Sequence, residues 1–176
     1  MNGQYIRRMS QEELLHRLIP FWQDAGLIES PVATEMLPTL RLLVPLVQER
    51  LTTLRDVVGL TDFVFQDIDE PSIEALVGKG MTAEQSLEAI LAVQRLLGGL
   101  VQFAADAMEE PMRTLAKELD LKPGQLFGIV RNAVTGKAVS PPLFGSIQAV
   151  GREHTLRRLE IAEHVLVEHI GATKES

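Results

Sequence analysis

The chain contains no cysteine, so disulfides, cysteine-zinc sites and thiol catalysis are all excluded. It also has no apolar run near the ~20 residues that a membrane-crossing helix needs. Its opening, "MNGQYIRRMSQEELL", lacks the uninterrupted apolar core of a secretion signal. A cytoplasmic location is the simplest expectation. Nucleotide-binding signatures are missing as well. Both "GKGMT" (78–82) and "TGKAVS" (135–140) depart from the phosphate-cradling G-x-x-x-x-G-K-[ST] pattern. Without a G-x-S-x-G elbow, Ser140 and Ser146 have no nucleophile context. The closest histidine pair, His164 and His169, is five apart, not the four that places two ligands on one helical face. His16, His154, His164 and His169 therefore read as solvated. Acid groups such as Asp67/Asp69/Glu70 and Glu109/Glu110 read as helix-flanking charges. No catalytic residue, metal site or cofactor is expected.

What is present is the makings of a folded helical protein. A length of 176 residues suits one domain or two small ones and can bury a proper core. Hydrophobic residues at 45% and charged residues at 23% place the chain among folded globular proteins. The formal charge of −7 argues against a nucleic-acid partner, although a local basic face can coexist with an acidic remainder.

Helical periodicity runs nearly throughout. Ser10 and Glu13 form an S-x-x-E capping box, with Met9 and Leu14 spaced as a hydrophobic staple. Leu14, Leu15, Leu18 and Trp22 follow at helical intervals, and Pro20 predicts a kink or an early end. Ser30-Pro31 reads as a second helix start, with Pro38 and Pro45 predicting a bent or broken helix beyond it. Gly59 interrupts the next segment, and "QDIDEP", ending in Pro71, reads as a subdomain boundary. Thr82 and Gln85 give another capping box, and Gly98-Gly99 breaks the helix that follows. Leu115 and Leu119 mark a short helix, Pro123 restarts one, and Leu156, Leu159, Ala162, Leu166 and Ile170 stripe the last. No segment alternates like a strand. The expectation is an all-α fold, a bundle or cage of two consecutive helical subdomains at 1–70 and 71–176.

One connection stands apart. "RNAVTGKAVSPPLFGSI" (131–147) joins two helical patterns through a Thr-Gly turn, a lysine and Ser-Pro-Pro, then Leu143 and Phe144. A loop so stiff and so apolar is unusual in a water-facing connection. The wider stretch "LKPGQLFGIVRNAVTGKAVSPPLFGSIQAVGREHTLRRLEIA" (121–162) closely resembles the end of bacterial-type glutamyl-tRNA synthetases. There a K-x-G-Q, arginine, A-L-T-G, (T/S)-P-x-L-F pattern closes the anticodon-binding region. "MNGQYIRRMS" is similar to that family's W-M-N-x-x-Y-I-R segment, and "ERLTTLRDVVGLTDFVFQD" to its arginine-x-x-T-L element and aromatic follow-on. The resemblance spans the chain in order, dense at 1–13, 49–66 and 121–162 and sparse at 72–118. The family's HIGH-like and KMSKS-like signatures, which handle ATP, are absent. The chain therefore resembles the C-terminal part of such an enzyme without its catalytic domain.

That resemblance implies specific roles. Arg50 falls where the family reads the third anticodon base, and arginine there resembles the enzymes that accept the glutamate anticodon and reject the glutamine one. A guanidinium only donates; cytosine offers O2 and N3 as acceptors, whereas guanine presents an N–H. Arg131 falls at the family's anticodon-contacting arginine. Ser140, Pro141, Leu143 and Phe144 match the loop that packs on splayed anticodon bases. Pro142 replaces a less constrained residue and should stiffen the loop while leaving its carbonyls as acceptors. Arg7-Arg8 and Arg157-Arg158 read as solvated pairs. The implied partners are a glutamate-specific tRNA and the parent's catalytic domain, with the chain itself a monomer. ATP and magnesium belong to that parent enzyme, a class I glutamate–tRNA ligase; no cofactor and no aminoacylation are expected of this chain alone. The acidic charge keeps one rival open, a helical protein-interaction module that retains the fold but not RNA binding. A relaxed synthetase that also charges glutamine tRNA is a second rival, opposed by Arg50.

Overall fold

The structure is a computed structural model and describes residues 2–175. Among them there are only helices, turns and loops, divided into two compact units, one ending at Asp67 and one starting at Ile68.

In the first unit, α1 (Gly3–Arg8) is a single short helix and α2 (Gln11–Asp24) is the organising one. Ser10 caps α2 by accepting from the Glu13 N–H at 3.2 Å, but the Glu13 carboxylate turns forward to Arg17 at 2.9 Å. The cap therefore works as half of the expected box. Leu14, Leu15, Leu18 and Trp22 bury one face of α2 in a core shared with α3 (Leu37–Val47) and α4 (Asp56–Phe65). Burying an indole requires a partner for its N–H. Trp22 Nε1 donates to Thr61 Oγ1 at 2.9 Å, and that hydroxyl donates to Val57 O at 2.7 Å.

Pro20, Ser30-Pro31 and Gly59 neither start nor end a helix in this unit. Pro20 neither ends nor shortens α2, because it lies on the exposed face, where the carbonyl it frees can be solvated. Ser30-Pro31 does not start a helix; its peptide is cis, and α3 begins only after a 3-10 turn at Thr34–Met36. Pro38 then occupies the first turn of α3, where a missing N–H costs nothing. Gly59 lies inside α4 without interrupting it.

The second unit is built on α6 (Ala83–Gly98) packed along α10 (Arg152–Lys174). Thr82 and Gln85 form the full reciprocal capping box, at 2.9 and 3.1 Å. Around the pair lie α5 (Ile73–Leu76), α7 (Ala105–Glu118), α8 (Pro123–Thr135) and α9 (Leu143–Val150). Helix α7 is longer than the two leucines suggest, since Met108, Met112 and Ala116 carry its buried stripe. Its first amide is capped from afar, with Ala105 N donating to Gln148 Oε1 at 2.9 Å. Arg158 is not solvated: it is 7% exposed, and its guanidinium donates to Val134 O at 2.7 Å near the end of α8. A buried arginine in that position supplies a donor to a carbonyl that the helix end leaves unmatched.

Candidate functional site

In the first unit α3 runs into a 3-10 turn, Gln48–Arg50, and Arg50 is its last residue. Arg50 is exposed and, among the described residues, makes no hydrogen bond or ion pair. The turn behind it is tightly organised. Leu51 is fully buried, and Asp56 Oδ2 accepts from the Thr52 and Thr53 N–H groups at 3.0 and 2.7 Å. Thr53 Oγ1 adds a third bond to Asp56 Oδ1 at 3.0 Å. Foremost among these, the Thr53 backbone N–H holds the Asp56 carboxyl below its ordinary value. A threonine followed three residues later by an aspartate is a capping-box type of signal legible in "TTLRD", though the sequence reading passed over it. The result is a free guanidinium on a fixed base.

In the second unit α8 ends on Gly136, whose φ of +68° is the left-handed conformation that favours glycine. Thr135 Oγ1 donates to Arg131 O at 2.7 Å and accepts from Lys137 N at 3.2 Å, turning the chain into the loop. Arg131 is half-buried and reaches across that loop. Its Nη1 donates to Ser140 Oγ and, at 3.1 Å, to Pro141 O. Pro141 O also receives the Ser140 hydroxyl at 2.8 Å and the Ser146 hydroxyl at 3.2 Å. A carbonyl has two lone pairs, so this acceptor is already saturated inside the protein. The Pro141 carbonyl is an acceptor, as a proline allows, and its bonds are made within the protein.

The loop residues separate by depth. Ser140 and Leu143 are buried, at 4% and 5% exposure, and Pro141 is buried with them. Leu143 opens α9 and docks in the core, so its side chain has no face to offer a base. Phe144 is half-buried, meeting Phe127 edge-on at 5.2 Å, and Phe127 lies in turn beneath the Arg113 guanidinium at 5.4 Å. What faces outward is Ala138, Val139 at 84% exposure, and Pro142. Arg131, Ser140 and Pro141 thus come together as a hydrogen-bonded knot beneath a small apolar ledge. Sequence reasoning missed Ser146 and Val139: the first is recognisable only from the fold, and the second only from its exposure.

The exposed arginine belongs to the first unit and the pinned proline loop to the second, both within an all-helical chain. The chain belongs to the anticodon binding domain family, whose model matches residues 13–163. It is 43% identical to the glutamate–tRNA ligase of Roseiflexus castenholzii over 94% of this chain and 33% of the relative. It is 42% identical to that of a second Roseiflexus species, strain RS-1, over 100% of this chain and 35% of the relative. The chain therefore spans about a third of the length of these curated relatives. In fold it is similar to the glutamate tRNA ligase of Elizabethkingia meningosepticum, with a TM-score of 0.79 and 22% identity. That match covers 94% of this chain and 31% of that one.

Proposed function

We propose that this chain recognises the anticodon loop of a glutamate-specific tRNA, as the anticodon-binding part of a glutamate–tRNA ligase. Arg50 reads the third anticodon base. Arg131, through Ser140 and Pro141, shapes the loop against which the other bases rest. The outward ledge of Val139 and Pro142, with the open side of Phe144, offers the apolar contact that unstacked bases seek. In the relatives' full-length enzyme, ATP- and magnesium-dependent joining of glutamate to tRNA would fall to a catalytic domain that partners this one. One observation carries the reading of Arg50: it is the exposed, unpartnered end of a turn otherwise fixed by buried Leu51 and by Asp56. A charged donor held in place without an internal partner favours an acceptor edge such as that of cytosine and, aimed at the pairing edge of guanine, meets N–H donors there.

The test is binding of the chain to two anticodon stem-loops that differ only in cytosine or guanine at the third position. The expected result is tighter binding to cytosine by about tenfold or more, a preference that Arg50→Gln removes. Equal binding of both stem-loops by the unaltered chain would overturn the assignment.

A further inference from the structure

A reading residue discriminates only as well as its support is rigid, and around Arg50 the support comes from a short helix distant in sequence. We infer that α1 is a clamp for Arg50 and that Gln48 is its positioning residue, an inference that rests on the reading of Arg50 above. Gln48 is half-buried, and its Nε2 donates to Ile6 O at 3.0 Å and to Met9 O at 2.9 Å. Ile6 O also accepts the Met9 N–H at 3.2 Å, and Met9 is the residue that closes α1, so the amide grips the end of that helix. Both protons of one amide thus join the end of α1 to the turn that carries Arg50.

The neighbouring residues repeat the attachment. Arg7 Nη2 donates to Glu49 O at 3.4 Å, and Arg7 Nε meets the Glu49 carboxylate at 3.5 Å. Gly3 lies so close that a Cβ there would stand 3.0 Å from Leu51 O and 3.6 Å from Thr52 Cα. Residues 48, 49, 51 and 52 are therefore each held, by α1 or by Asp56, while Arg50 between them points free. The attachment is mutual. Helix α1 has six residues, too few to persist alone, and Ile6 is its one buried side chain. Its docking on the turn keeps both in place.

Loosening the clamp leaves Arg50 chemically intact but lets it wander, and displacement of about 1 Å is enough to erode selective contacts. The measurement is the ratio of dissociation constants for the cytosine and guanine stem-loops, taken with the whole 176-residue chain. Gln48→Leu keeps the bulk and removes both donors; Gly3→Ala sets a Cβ 3.0 Å from Leu51 O, so the turn has to give by a few tenths of an ångström. Each is expected to lower the ratio by about threefold or more while the protein stays folded by helicity and melting. Thr61→Val, which breaks the buried Trp22–Thr61 bond outside the clamp, is expected to lower the melting temperature and keep the ratio. Should Gln48→Leu fail to fold, Gly3→Ala decides. An intact ratio in the folded clamp variant, alongside a collapsed one in Arg50→Gln, overturns the clamp. An intact ratio in Arg50→Gln itself overturns the reading of Arg50, and the clamp with it.

Discussion

Asp56 shows how much the turn behind Arg50 depends on a neighbouring side chain. Its carboxylate takes two backbone N–H groups and one hydroxyl from Thr52 and Thr53, and this closes the turn behind Arg50. Removing it leaves two amides without their charged acceptor, so Asp56→Ala should destabilise the protein by about 1–2 kcal/mol at neutral pH. Because folding depresses the Asp56 pKa, its contribution is complete above the ordinary value of 3.8 and is lost as pH falls through the lower, folded-state value. Urea midpoints of Asp56→Ala and the unaltered chain, measured from about pH 7 to about pH 2, should differ at the top of the range and converge at the bottom. A difference that persists undiminished at the acid end would mean that the charge is not what closes the turn. Arg50 and Arg131 stand out in the sequence as candidates because a charged residue in a recognisable motif is conspicuous. Their supports do not, because a threonine, a serine or a glutamine declares nothing until the fold sets a partner opposite. Leu143 shows the other limit: an apolar residue at a loop end fits a base shelf or a core equally well, and here it is buried.

The same limit operates on whole helices. Where the cap is local, as at Thr82 and Gln85, four residues are enough to place a helix start. At α7 the donor is Ala105 and the acceptor is Gln148, on a helix that the chain reaches 43 residues later, so no local pattern announces it. Breakers are weak signals for a related reason. Pro20 and Gly59 sit on exposed faces, where a lost bond or a missing side chain is tolerated without loss of packing. That makes Gly59 improvable. It lies within α4, and a Cβ built there meets nothing within 4 Å. Gly59→Ala should stabilise the protein by about 0.5–1 kcal/mol, since alanine loses less backbone entropy in a helix. Gly136 is the contrast: its left-handed φ of +68° strains any L side chain, and Gly136→Ala should destabilise the protein. Paired thermal melts check both signs, and a gain at Gly136 or a loss at Gly59 would contradict the helical assignments.

At the scale of the whole chain the acidic balance sets the manner of binding. Up to Asp67 there are six Lys and Arg against nine Asp and Glu; from Ile68 onward there are 11 against 15. Each unit thus carries a net negative charge, −3 and −4, so a basic face that neutralises phosphates has to be local. Several arginines are also already committed inside the protein. Arg152 donates to Gly98 O and Leu100 O, and Arg158 to Val134 O. On the proposed reading, an RNA partner is held more through base edges and apolar contact, which salt scarcely weakens, than through counterion release. Binding of an anticodon stem-loop should therefore weaken only gently with added salt. Each single-strand phosphate contact contributes about −0.7 to the slope of log K against log salt, and the expected slope is no steeper than about −2. Titrations at a series of salt concentrations measure it directly. A slope of about −5 or steeper would mean that phosphate contacts dominate, and that the reading centred on Arg50 and the proline loop assigns the binding energy to the wrong groups.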